Sequence, residues 1–121
     1  MPQGFDSTTL VKLRQQQEIR IRAGRSASGV IIWVVVVDGT VFIRSFRGAG
    51  ARWYLAATGD GRAALEVDGA AVPVKVTPAA DQATIEAVSR AFLSKYAASP
   101  YAQAMVRPEV LPTTLRVEPL G

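Results

Sequence analysis

The chain predicts an α+β fold in which about six strands, arranged as antiparallel hairpins, close into a small barrel with flanking helices. Three observations carry this reading. Two Asp-Gly pairs, Asp38-Gly39 and Asp68-Gly69, stand between β-branched runs, as in two-residue type I′ hairpins. The run over residues 30–37 is apolar on both faces and needs cover on both sides. A long helical stripe, Ile85, Val88, Phe92 and Tyr96, follows the second hairpin and precedes the last strand. At 121 residues, 49% hydrophobic and 20% charged, the chain is expected to form one domain over 1–121 with a substantial core.

In chain order, Asp6 predicts the N-cap of a short helix, with Phe5 placed to pack on Leu10, and with Leu10 and Leu13 on the buried side. Residues 18–22 alternate isoleucine with charge and read as a half-buried strand. Arg20 and Arg22 on its wet face, and Arg25 in the 23–29 turn, make that surface mostly positive. The 30–37 strand is expected at the centre of the barrel, one side toward the interior and the other toward a helix or a second subunit. Residues 40–46 return antiparallel.

A helical turn over 53–57, closed by Gly59, precedes the hairpin over 63–76. Pro73 cannot donate to a ladder, which predicts an edge strand or an open N–H side. Thr77-Pro78 reads as the N-cap and first position of the long helix, which ends near Ala98. A short helix over 99–106 and breaks at Pro108 and Pro112 lead into a last strand over 113–118.

Composition narrows the chemistry. The chain has no cysteine and no histidine, which removes thiolate nucleophiles, Cys/His metal sites and histidine-based triads. Asp38, Asp60 and Asp68 sit beside glycine, where aspartate serves turn geometry. An enzyme built this way takes its chemistry from a bound cofactor and supplies orientation and electrostatics. No catalytic residue and no metal ligand is assigned. The net charge of +4 favours acidic partners, and the longest apolar run is too short to span a bilayer. A cytoplasmic protein without membrane attachment is expected.

Arg44, Arg47 and Arg52 are followed by no acid until Asp60, and they enclose a Gly-rich loop. The loop is neither a P-loop, which would need Gly-Lys-Ser/Thr, nor a dinucleotide fingerprint, because Trp53 stands where the third glycine belongs. It can still present backbone N–H groups and guanidinium forks to a phosphate at the start of a short helix. A solvated turn with surface arginines is the simpler alternative. Trp53-Tyr54 could stack on a ring or anchor the helix, and anchoring is the stronger reading of the two.

The order of elements and these residues resemble the pyridoxamine-phosphate-oxidase-like split β-barrels that bind FMN, including their deazaflavin-dependent nitroreductase branch. The matching residues are Trp33-Val34-Val35, Arg44-Ser45, Arg47-Gly48 and Arg52-Trp53-Tyr54. Lys95-Tyr96, Ser99-Pro100-Tyr101, Met105 and the Leu-Arg-Val-Glu-Pro ending look like a small uncharacterised subfamily near that branch. The resemblance implies a six-stranded split barrel, a homodimer, and FMN or a deazaflavin at the subunit interface. It places Ser45, Arg47 and Arg52 on the phosphate and the main chain of Val34-Val35 beside the ring, for hydride transfer to an acceptor. Arg47 stands where the oxidases often carry lysine, and the extended basic set that binds pyridoxal phosphate as substrate is missing. The alternative is a non-enzymatic module that recognises nucleic acid or another polyanion with its positive surface.

Overall fold

The computed structural model describes residues 4–24 and 29–120, so Arg25 and most of the turn around it lie outside the described residues. Asp6 caps α1 (Ser7–Gln15), its Oδ1 accepting from the Thr9 N–H at 2.7 Å. Phe5 and Leu10 pack against the barrel core beside Leu13, which is fully buried. In β1 (Ile19–Arg22) the isoleucines point inward and the arginines to solvent, as their alternation predicts.

The sheet has seven strands, not six. Trp33 interrupts the 30–37 run, leaving β2 (Val30–Ile32) and β3 (Val34–Val37) as separate strands. With β4 (Thr40–Ile43), β5 (Arg62–Val67), β6 (Ala70–Pro78) and β7 (Leu115–Pro119) they form an antiparallel sheet in the order β2-β1-β5-β6-β7-β4-β3. β2 and β3 are therefore its two edges, although only Trp33 separates them in the chain. The sheet must curl until those edges meet, which makes a nearly closed barrel. The run expected at the barrel's centre is instead its seam, because an apolar pattern cannot show that its two halves pair with different strands.

Alternation then sorts the side chains. Val34, Val41 and Ile43 enter the barrel with Ile21, Ile32, Leu65, Val74, Leu115 and Val117, whereas Val35 and Phe42 face outward. Their cover is α3 (Gln82–Lys95), through Val88 and Phe92, followed by Tyr96 and Met105. The second face of the valine run is thus met by a helix, one of the two covers expected for it. Both hairpins turn as predicted: Asp38 and Gly39 have φ of 50° and 79°, Asp68 and Gly69 of 53° and 82°.

Of three local expectations, one is narrowed and two are corrected. β6 is an interior strand between β5 and β7, so of the two alternatives for Pro73 the edge is excluded and the open N–H side holds. Pro73 is tolerated because it lies where the β7 ladder ends, its carbonyl accepting from Leu120 N–H at 3.1 Å one residue beyond that strand. Thr77-Pro78 closes β6, and α3 begins after Asp81, whose Oδ2 accepts from Thr84 N–H at 3.0 Å; it ends at Lys95, before Ala98. The helix after the Gly-rich loop, α2 (Arg52–Asp60), is longer than one turn and is closed by Gly61 at φ +69°, not by Gly59. Residues 99–106 contribute a 3-10 segment, Ala102–Val106. Among the described residues no helix is long and apolar enough to cross a membrane.

Candidate functional site

A cleft of about 990 Å³ opens at the barrel seam. Val30, Ile31 and Trp33 border it on one side, and Phe46, Arg47 and the start of α2 border it on another. Tyr101 and Met105 come from the segment after α3. Its rim is apolar and wet: Val30 is 42% exposed, Ile31 52% and Tyr101 61%. Phe46 meets Tyr101 edge to face, with ring centroids 6.3 Å apart. Three arginines, Arg44, Arg47 and Arg52, line the cleft against one carboxylate, Glu18, so its electrostatic bias is positive.

The structure divides the residues singled out by sequence. Arg47 and Arg52 are exposed at the cleft, and neither takes part in the two ion pairs found among the described residues, Lys12–Asp68 and Arg22–Glu66. The N-cap of α2, Ala51, has no side chain that bonds the first helical N–H groups, so these donors stand at the cleft without a capping oxygen. Trp33 is half-buried and lies flat on Tyr96, centroids 3.9 Å apart and planes 1° from parallel. Trp53 borders the cleft while packing into the barrel core, edge to face with Tyr54, which fits the anchoring role.

The other five are buried. Val34 is inside the barrel and Val35 is under α3. Ser45 and Gly48 close the loop on itself: the Ser45 Oγ donates to the Gly48 carbonyl at 2.7 Å, and Gly48 adopts φ +82°. The Ser45 N–H donates to Thr113 Oγ1 at 2.9 Å, which holds the base of the loop to the segment before β7.

Arg44 is a buried brace. Its Nε donates to Thr114 Oγ1 at 2.8 Å, Nη1 to Ser89 Oγ and the Met105 carbonyl, both at 3.0 Å, and Nη2 to the Ile85 carbonyl at 2.9 Å. One side chain thus joins β4, α3, the 3-10 segment and the approach to β7. Burial lowers its pKa to about 10, so it remains protonated at neutral pH.

Two residues read from sequence only as helix stripe and resemblance prove to finish the seam. The Tyr96 hydroxyl accepts from the Val34 N–H at 3.1 Å and donates to the Gln17 carbonyl at 2.6 Å. Lys95 Nζ donates to the carbonyls of Val34 at 2.7 Å and Leu13 at 2.9 Å. The outer N–H and C=O of Val34, which an edge strand would leave open, are both satisfied by the end of α3. Burial lowers the Lys95 pKa to about 8 and raises that of Tyr96 to about 12. No local pattern marks such pairings; the apolar stripe could place Tyr96 inward but not name its partner.

The barrel is shared with solved structures at low identity. Conserved hypothetical protein Rv2991 of Mycobacterium tuberculosis is similar with a TM-score of 0.63 at 11% identity, over 97% of this chain and 80% of that one. A candidate general stress protein 26 from Jannaschia sp. CCS1 has a TM-score of 0.63 at 13% identity, over 92% and 71%. A candidate pyridoxamine 5'-phosphate oxidase from Listeria innocua has a TM-score of 0.59 at 11% identity, over 93% and 90%. These likenesses show the fold alone: a nearly closed antiparallel barrel that the chain shares with the candidate oxidase and with the other two proteins. No curated protein matches the sequence. Residues 9–117 match the family described as "Uncharacterized protein conserved in bacteria (DUF2255)", and the chain belongs to that family.

Proposed function

We propose that the cleft binds a phosphate-bearing flavin cofactor, FMN or a deazaflavin, and that the chain is a homodimeric oxidoreductase related to the deazaflavin-dependent nitroreductase branch. The observation that carries this reading is the meeting, in one cleft of about 990 Å³, of two arginines that form no ion pair among the described residues with an indole already held flat by Tyr96. That volume suits a small-molecule or cofactor site. Arg47, Arg52 and the uncapped N–H groups of α2 supply phosphate recognition. Trp33 and the apolar rim supply a wall for a ring, and Ser45 with Gly48 sets the course of the loop. The candidate oxidase from Listeria innocua shares the barrel, which supports the choice of ligand.

The fit is one of donor set: three cations against one carboxylate among the described residues, Glu18, together with apolar surface. When bound, such a cofactor supplies hydride transfer. The chain's own part is to orient it, to neutralise its phosphate and to exclude water. Val30, Ile31, Phe46 and Tyr101 leave the rim uncovered, and a second copy of the chain packed two-fold against it would complete the enclosure.

The test is a spectrum of protein purified without denaturation, followed by titration with FMN and with riboflavin as the control lacking phosphate. Arg47→Ala and Arg52→Ala should each weaken FMN by roughly tenfold to a hundredfold, since a charged hydrogen bond is worth about 1.5–3 kcal/mol. Riboflavin should bind the parent more weakly and lose little further affinity. Equal losses for both ligands would remove these arginines from the phosphate. Sedimentation should show a dimer. Salt-sensitive capture of oligonucleotide by a protein blind to FMN would favour the polyanion reading instead.

A further inference from the structure

Arg44 is a cation 1% exposed to solvent that nevertheless borders the cleft. Every partner it has among the described residues is neutral: two hydroxyls and two carbonyls. Neither ion pair among the described residues includes it. Hydrogen bonds to neutral groups satisfy the guanidinium's geometry and leave its net charge uncancelled. The Phe92 ring, 5.6 Å away, offers a quadrupole and no countercharge. An uncancelled buried charge projects its field into adjoining space, where the protein side is poorly polarisable. Here the adjoining space is the cleft, with Glu18 as the single acid among the described residues of its lining.

We propose that Arg44 is a specificity-determining residue that favours anionic ligands in the cleft through its field, as a fixed interior charge, rather than as a phosphate ligand. Four of its five N–H groups are already committed to protein acceptors. Contact with ligand is thus left to Arg47 and Arg52, and preference for charge is shared by all three. The inference rests on the cleft being the ligand site, and it holds for any anion that enters, flavin or not.

Both tryptophans of the chain, Trp33 and Trp53, border the cleft, so collisional quenching of their fluorescence samples its potential without a cofactor. Iodide and caesium are compared, with acrylamide as the neutral reference, at a constant ionic strength of about 0.15 M that screens remote surface charge beyond about 8 Å. The double variant Arg47→Gln/Arg52→Gln changes only exposed side chains and leaves Arg44 as the one arginine among the described lining residues. It should keep an iodide-over-caesium preference of roughly twofold or more. Loss of that preference in the folded double variant overturns the proposal. Adding Arg44→Lys should retain the preference while lowering stability, and adding Arg44→Gln should abolish it. A preference that survives Arg44→Gln in folded protein also overturns the proposal, and if that variant does not fold, the double variant decides. Failure of FMN to bind while the iodide preference persists would refute the flavin reading and leave this one standing.

Discussion

The two edges of the sheet meet at Trp33 and are finished in opposite ways. On the β3 side, both outer polar groups of Val34 are bonded by Tyr96 and Lys95, and Val35 is covered by α3. On the β2 side, Val30 and Ile31 remain in solvent beside three arginines. The difference teaches where this fold tolerates incompleteness. Backbone groups at an edge either find partners or stay wet. The chain places an amine and a phenol on one edge for that purpose and leaves a cleft at the other. Packing is concentrated at the closed edge, and the cleft lies at the open one.

The strongest way to break this comparison is to charge equivalent positions on the two sides. Val35→Asp places a carboxylate between the sheet and α3 with no cation committed to it; the cost of several kcal/mol should abolish the cooperative unfolding transition in urea. Ile31→Asp, in the same apolar run but 52% exposed in the single chain, should cost the monomer little, within about 0.5 kcal/mol at protein concentrations too low for association, and should weaken only the two-fold contact proposed for this rim. Comparable losses at both sites would erase the distinction between closed and open edges.

A smaller effect should come from the phenol alone. Tyr96→Phe keeps the stack on Trp33 and removes the hydroxyl that serves Val34 N–H and the Gln17 carbonyl. Two backbone groups lose a partner, so denaturant unfolding should report a loss of about 1–3 kcal/mol. A wild-type midpoint would mean that water replaces the hydroxyl and that the edge is not closed by it.

The smallest effect is a dependence on pH. Lys95 has a folded pKa lowered by burial from 10.5 to about 8. Between those values the unfolded chain binds more protons than the folded one, so stability should rise with pH across that window. Because Lys95 is only part-buried, solvent screening reduces the rise to the order of 1 kcal/mol. Tyr96 acts in the opposite sense and later: its pKa is raised from 10.0 to about 12, so its contribution is lost only as pH climbs through that range. Urea midpoints measured from pH 7 to 10 should therefore rise for the parent and stay flat for Lys95→Met. An equal rise in both proteins would assign the effect to another group.

Much of the fold was legible because it depends on local chemistry. Asp-Gly turns need positive φ at both central residues, and Asp38, Gly39, Asp68 and Gly69 supply it. Ile19 and Ile21 faced inward because a period of two leaves no alternative for a half-buried strand. The helix boundaries failed where two signals competed. Thr77-Pro78 is a good cap by composition, yet the ladder to β7 reaches as far as Pro78↔Leu115 and holds both residues in the sheet. Asp81, three residues on, then takes the capping role.

What the sequence determined by itself was a set of periodicities and turn geometries, together with a loop whose cations have no nearby acid. Those features specify hairpins, an amphipathic α3 and a positive surface, since each depends on residues a few positions apart. Tertiary structure alone decided the rest. It split the apolar run at Trp33, because pairing with β1 on one side and β4 on the other is a relation between distant segments. It also separated three similar arginines into two roles. Arg47 and Arg52 stay at the cleft surface, while Arg44, only three residues before Arg47, turns inward to meet Ile85, Ser89, Met105 and Thr114. Composition treats these guanidinium groups as equal. Only the long-range packing that surrounds one of them with neutral acceptors makes it a buried charge.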